Sequence, residues 1–228
     1  MKKFLITKFL FLSVFLSSFS VSAQGILTAS SFFKSVSENY STIKDYEADV
    51  DIKAGKTSMR GKVSYKKPNL LRIDFSSPED QVICFNGDVL TIYIKEPAEA
   101  VLQQQVTPGS TGSATNLSTP QGLSLMSRYY TVAYETGQNA EPLEEGSDEM
   151  VVKLILTRKS ASEAFRYIKL AINNETKLIR RIEAVTPKGE EFVFDFFDYV
   201  LNQNLSEQRF VYDAPSSANN YNNFLFTE

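Results

Sequence analysis

Residues 61–93 read GKVSYKKPNLLRIDFSSPEDQVICFNGDVLTIY, and this stretch decides the fold class. Gly61, Val63 and Tyr65 share one parity while Lys62, Ser64 and Lys66 share the other, the period-two signature of a strand wet on one side. Pro68 removes a ladder donor and forces a corner. Continued parity carries Lys67 toward the apolar set, so it is expected at the rim of the buried face. Leu71, Ile73 and Phe75 then alternate with Arg72 and Asp74, and Pro78 ends that strand. Val82–Phe85 and Val89–Ile94 flank Asn86-Gly87, a strong hairpin signal.

The same pattern extends upstream. Tyr46, Ala48, Val50 and Ile52 alternate with Glu47, Asp49, Asp51 and Lys53, Gly55 marks a turn, and Met59 opens the return strand. Before them, Phe32, Phe33, Val36 and Tyr40 recur at helical spacing, which predicts a helix capped by Ser30 or Ser31 and running to about Thr42. Downstream, Ala100 to Val106 reads as a sixth strand. Residues 107–121 turn rich in Gly, Ser, Thr and Pro, which predicts a long loop. A short helix capped near Ser118 or Thr119 should follow, with Leu123, Leu125 and Met126 across an opening. Five further strands are predicted: Tyr129–Tyr134, Glu149–Arg158, Phe165–Ile172, Lys177–Val185 and Phe192–Leu201. About eleven strands with few helices indicate a sandwich or a barrel, open or closed.

The chain holds 17 Phe and 11 Tyr and no Trp. Many fall on inward parities: Phe192, Phe194 and Phe196 share a face, as do Ile168, Leu170 and Ile172. A curved sheet of this size has one concave face, and the residues alone leave it either filled or hollow.

Lys2, Lys3 and Lys8 beside the apolar run Phe9–Phe19, with Val21-Ser22-Ala23 after it, read as a cleaved secretory signal over residues 1–23. Residues 24–228 then form a single domain. Without the three lysines of the signal that domain is more acidic than the whole chain, whose formal charge is −3, which argues against nucleic acid as partner. Cys84 stands alone, so no intrachain disulfide or paired-cysteine zinc site is expected, and its apolar setting predicts a buried small hydrophobe.

The absence of histidine removes Ser-His and Cys-His nucleophiles and the commonest metal ligand. Glu144, Glu145, Asp148 and Glu149 read as a solvated acidic turn. Asp195 and Asp198 lie on opposite parities and converge only across a bulge. No enzyme activity, cofactor or metal is therefore expected.

The order of a Gly-led alternating strand, a basic residue, Pro-Asn, an apolar strand ending in Ser-Ser-Pro, Asn-Gly-Asp and a strand closing on Tyr93 resembles the periplasmic outer-membrane lipoprotein carrier family. In layout the resemblance covers the whole chain after the signal, including Phe210–Pro215. It implies a mainly β fold: an incomplete, open antiparallel β-barrel of about eleven strands with a lid of short α-helices over an apolar cavity. It implies a monomeric periplasmic carrier of lipoprotein acyl chains, served by an inner-membrane exporter and, where present, an outer-membrane receptor. The rival reading is a lipid-sensing envelope regulator on the same fold.

Joined to the parities above, the resemblance makes Val50, Ile52, Met59, Val63, Tyr65, Leu71, Ile73, Phe75, Ile92, Phe192, Phe194 and Phe196 the candidate lipid-binding wall. Leu125 and Met126 line its lid, and the entrance is expected near the proline corner. Lys67 stands where the family carries an arginine that helps hold the lid. Thr91 stands where many members carry Trp, leaving Tyr93 as the nearby aromatic.

Overall fold

A computed structural model of the chain describes residues 27–106 and 119–224. The signal expected over residues 1–23 lies outside these, as does the expected loop from 107 to 118.

Helix α1 (Ala29–Thr42) begins earlier than a cap at Ser30 or Ser31 would place it. Thr28 is the cap: it stays extended and its hydroxyl accepts from the Ser31 N–H at 3.1 Å, so both serines are already helical. A six-strand meander follows: β1 (Asp45–Ala54), β2 (Thr57–Lys66), β3 (Leu70–Ser77), β4 (Glu79–Phe85), β5 (Val89–Ile94) and β6 (Ala100–Gln105). Gly55 turns the first hairpin at φ +60, a conformation glycine adopts without strain. Asn86 closes the β4–β5 turn by accepting from the Asp88 and Val89 N–H groups.

Helix α2 (Pro120–Tyr129) starts on the cap Thr119, with Pro at its first position where no donor is missed. It runs directly into β7 (Tyr130–Tyr134). Next come β8 (Glu141–Pro142), β9 (Met150–Arg158), β10 (Tyr167–Asn173), β11 (Ile179–Val185), β12 (Glu191–Leu201), a 3-10 turn (Glu207–Phe210) and β13 (Asn219–Asn222). The described residues thus form thirteen strands rather than eleven. β8 and β13 escape the sequence pattern because two residues, or three asparagines around one exposed tyrosine, carry no alternation.

All thirteen join one sheet in the order β13-β6-β5-β4-β3-β2-β1-β12-β11-β10-β9-β7, with β8 on β9. β1 welds the halves by pairing with both β2 and β12. The path ends at β13 and β7 without a pairing between them, so the barrel stays open, with helices against its concave side. Neighbours run antiparallel except β13, which lies parallel to β6.

The main core fills the angle between α1 and this sheet, with Phe32, Val36, Tyr40, Tyr46, Val50, Tyr65, Leu154 and Ile182 among its members. A second cluster on the convex side joins Val82, Cys84, Tyr93 and Val101 to Ala218. There the C-terminal segment crosses the outside of β2–β5. Arg209 clamps it through Ser64 at 2.8 Å, Glu47 at 3.0 Å and Asp74 at 3.6 Å. Cys84 is buried beneath, its thiol donating to the Phe210 carbonyl at 3.2 Å, as expected of a small hydrophobe.

Candidate functional site: the concave apolar face

Parity delivers the wall. In register, Ile52 lies between Met59 and Phe194, Val63 opposes Ile73, and Ile73 leads to Ile83 and then Ile92. These side chains therefore form continuous apolar rows across six strands.

Depth along the wall is graded. On β1, Tyr46, Ala48 and Val50 are fully covered and Ile52 is 5% exposed; on β3, Leu71, Ile73 and Phe75 rise through 1%, 6% and 8%. On β2, Tyr65 and Val63 are buried while Met59 is half-buried; on β12, Phe196 is buried while Phe194 and Phe192 are half-buried. Cover is thus complete at the α1 end and incomplete at the β1–β2 hairpin end. Met59, Phe192 and Phe194 form a partly open apolar rim there, and Ile83 and Ile92, in register with Ile73, are likewise partly buried and packed on the main core. Phe194 stacks on Phe196 with centroids 6.5 Å apart, and Phe192 meets the edge of Phe165 at 6.5 Å.

The closed end corrects the expected entrance. At the proline corner, the rings of Tyr40, Tyr46, Tyr65 and Tyr199 plug the face. Tyr46 packs on Tyr65 and Tyr199 with centroids 5.3 and 5.4 Å away. The Ile179 N–H donates to the Tyr40 hydroxyl and the Tyr199 hydroxyl donates to the Ile179 carbonyl, both at 2.9 Å. Burial pushes the Tyr40 hydroxyl up to about 12 and raises those of Tyr65 and Tyr199 as well. Aromatic rings and α1 fill this end, so the half-open rim lies at the other.

Lys67 is exposed at the corner, one residue beyond β2, rather than part of the wall. Its Nζ donates to the Ser41 carbonyl in the last turn of α1, and its own N–H donates to the Lys44 carbonyl at 2.9 Å. A cation there satisfies a carbonyl the helix leaves unpaired.

In α2 the buried pair is Leu123 and Met126, not Leu125 and Met126. Leu125 is half-buried yet not packed on the main core. Residues three apart share a helix face whereas Leu125 sits about 200° round from Leu123. The candidate wall had omitted Ile83, which strand parity with Ile92 would have found, and the lid pair had left out Leu123, expected across the opening. Thr91 and Tyr93 belong to the convex face, where Tyr93 packs on Tyr212 at 5.7 Å and donates to Glu99 at 2.7 Å.

The acidic turn is solvated as expected at Glu144, Glu145 and Asp148, which are exposed, with two of its carboxylates also engaged by arginines. Glu144 pairs with Arg181 at 2.7 Å and Glu149 with Arg180 at 2.8 Å. The same two arginines hold Asp195 at 3.0 and 2.6 Å. A bulge does fall after Phe197, where Asp198 takes φ +52, but Asp198 is exposed and Asp195 is already engaged.

The family described as "Outer membrane lipoprotein carrier protein LolA" matches residues 50–213. The outer-membrane lipoprotein carrier protein of Haemophilus ducreyi (strain 35000HP / ATCC 700724) is 27% identical over 173 residues, 75% of this chain and 73% of the relative. Its counterpart in Pseudomonas aeruginosa (strain UCBPP-PA14) is 23% identical over 155 residues, 68% of this chain and 67% of the relative. Among solved structures, an uncharacterized conserved protein from Thermus thermophilus shares the fold, with TM-score 0.53 at 15% identity over 84% of this chain and 96% of that one. Because the match runs from the middle of β1 through β12 to the convex-face segment, the chain belongs to the outer membrane lipoprotein carrier protein LolA family.

Proposed function

We propose that residues 24–228 act as a one-domain periplasmic carrier that shelters the acyl chains of lipoproteins between the inner and outer membranes. One observation carries the reading: an apolar wall, sealed at the α1 end, becomes half-exposed toward the β1–β2 hairpin. A wall meant only as core would be covered along its whole length, whereas Phe192 and Phe194 keep part of their rings in water. Shelter answers a definite need, since an acyl chain of about sixteen carbons at roughly 0.8 kcal/mol per CH₂ loses about 13 kcal/mol in water.

Binding must stay well below that limit for cargo to leave. The half-covered rim supports this, because chains seated there keep part of their surface on movable side chains. The cycle needs no covalent step. Acyl chains pass from an inner-membrane exporter into the concave face, Phe192 and Phe194 repack around them, and a receptor of higher affinity at the outer membrane draws them off.

The test is release. Purified protein added to spheroplasts should bring lipoproteins into the soluble fraction as a complex with the carrier, identified by mass spectrometry. Spheroplasts that give up no lipoprotein to the protein refute the reading.

A further inference from the structure

Strand register sorts the charges around the open end of the barrel. Ala54 pairs with Thr57 and Phe192, Val185 with Glu191 and Tyr167, Tyr167 with Thr157, and Arg158 with Tyr130. The start of β7 and the loop 159–166 between β9 and β10 therefore stand at the same end of the sheet as the partly open rim. Phe165 ties that loop to the rim through its edge contact with Phe192 at 6.5 Å. On the other half of the sheet, Arg60 pairs with Ser77 and Val82 with Tyr93, which brings the β3–β4 and β5–β6 turns to this end as well.

The two sides differ in sign. Arg128, Arg158, Lys159 and Arg166 gather around the last turn of α2 and the β9–β10 loop, with Glu163 as the acid among them. The β3–β4 and β5–β6 turns carry Glu79, Asp80, Glu96 and Glu99 with Lys95. On the basic side, Arg128 lies over the Tyr129 ring and Arg166 over the Tyr167 ring, each 5.4 Å from the centroid. Such a pair sets a cation beside a ring with an apolar body and a polar tip, a combination suited to the headgroup level of a bilayer.

Beside this patch a groove of about 570 Å³ runs between α1 and α2. Phe33 and Val132 give it an apolar floor, Ser37 and Ser127 bring hydroxyls, and Lys34 and Lys159 bring two cations; no carboxylate is among the described residues that line it. Lys34 meets Glu38 at 3.7 Å in an exposed pair, which holds it only weakly. Lys159 is fixed at the groove by the Ser127 and Arg128 carbonyls, to which its Nζ donates at 3.3 and 3.0 Å. An acidic protein would dock through charge pairs and has no need of an apolar trough. An anionic lipid uses both, its phosphate against the lysines and its first methylenes over Phe33.

We infer that this basic side is a membrane-docking surface, which sets the mouth of the concave face against anionic phospholipid headgroups while the groove takes one of them. The carrier reading supplies its purpose and none of its evidence. Fields between exposed charges fade within about 10 Å at 0.1 M salt. A bilayer therefore feels the side facing it rather than the net negative charge of the chain, and the acidic turns across the mouth tilt away from it.

Co-sedimentation of the protein, as isolated from cells, with vesicles of phosphatidylcholine and phosphatidylglycerol, against phosphatidylcholine alone, tests this. Wild type should bind the anionic vesicles, and added salt should release it. Arg128→Gln, Arg166→Gln and Lys34→Gln should each weaken that binding about fivefold, the worth of one cation near an anionic surface. Lys95→Gln makes the same change in charge on the acidic side and should leave binding at the wild-type level. Amide hydrogen exchange with vesicles present should slow in the loop 159–166 and leave the turns at Asp80 and Glu96 unchanged. Equal binding to both vesicles, an equal loss in Lys95→Gln, or binding to poly-glutamate but to neither vesicle overturns the docking surface. A protein that binds anionic vesicles yet takes up no fluorescent long-chain fatty acid upholds the surface and overturns the carrier reading instead.

Discussion

Phe194→Asp separates a binding wall from an ordinary core. Phe194 is half-buried, level with Ile52 on β1 and Ile182 on β11, and stacked on Phe196. In the empty protein an aspartate there reaches water through the open rim. The fold then loses most of the burial of one phenylalanine, roughly 1–3 kcal/mol. With a hydrocarbon chain laid over it, the carboxylate must shed its water or take up a proton, at about 1–3 kcal/mol. That difference falls on binding, and at about 1.4 kcal/mol per factor of ten it weakens affinity about five- to hundredfold. Titration of purified variants with a fluorescent long-chain fatty acid, beside urea denaturation, reads the two effects separately. Val193→Asp is the control, one residue away on the opposite face, in register with Lys53 and Glu183. Wild-type affinity in Phe194→Asp, or an equal loss in Val193→Asp, refutes the assignment of this face.

Three further outcomes follow from the fold. Arg209→Ala releases the clamp on the C-terminal segment, worth about 1 kcal/mol, so the buried Cys84 thiol should react with a thiol reagent about fivefold faster; an unchanged rate denies the clamp. Gly61→Ala sets a Cβ 2.5 Å from the Asp74 carbonyl oxygen. Backbone cannot yield there without parting β2 from β3, so the urea midpoint should fall by the equivalent of about 1–3 kcal/mol, and an unmoved midpoint contradicts it. Tyr40 is raised from 10 to about 12 in the folded state. Because the folded value lies above the unfolded one, this contribution is fully present below about pH 10 and lost as pH rises through about 12. Tyr40→Phe removes that contribution and leaves the Ile179 N–H without its acceptor, at about 1–3 kcal/mol. The variant should start less stable yet lose stability less steeply over this alkaline range, and parallel curves would count against it.

Lys67 and Leu125 show where sequence reasoning stops. Parity is a property of a strand, and β2 ends at Lys66, so the parity that carried Lys67 to the rim had no meaning one residue later. Its role at the α1 terminus needs Ser41, 26 residues away, delivered by tertiary packing. Leu125 is apolar on an amphipathic helix, but which of three neighbouring apolar residues faces the core depends on where the helix docks.

Sequence alone determined the strands from β1 to β6 and which side chains share each face, because alternation is local and the apolar pattern of these strands follows it. It also determined the family, through the residues around the Lys67-Pro68 corner. Only the tertiary structure decided how deep each wall residue lies. Alternation assigns a side chain to a face and is silent on what covers that face. Cover is set by α1 and a plug of four tyrosines drawn from α1, β1, β2 and β12, and by the pairing of β1 with β12 across most of the chain. From that docking comes the gradient from sealed Tyr46 to half-open Phe192, on which the proposed function depends.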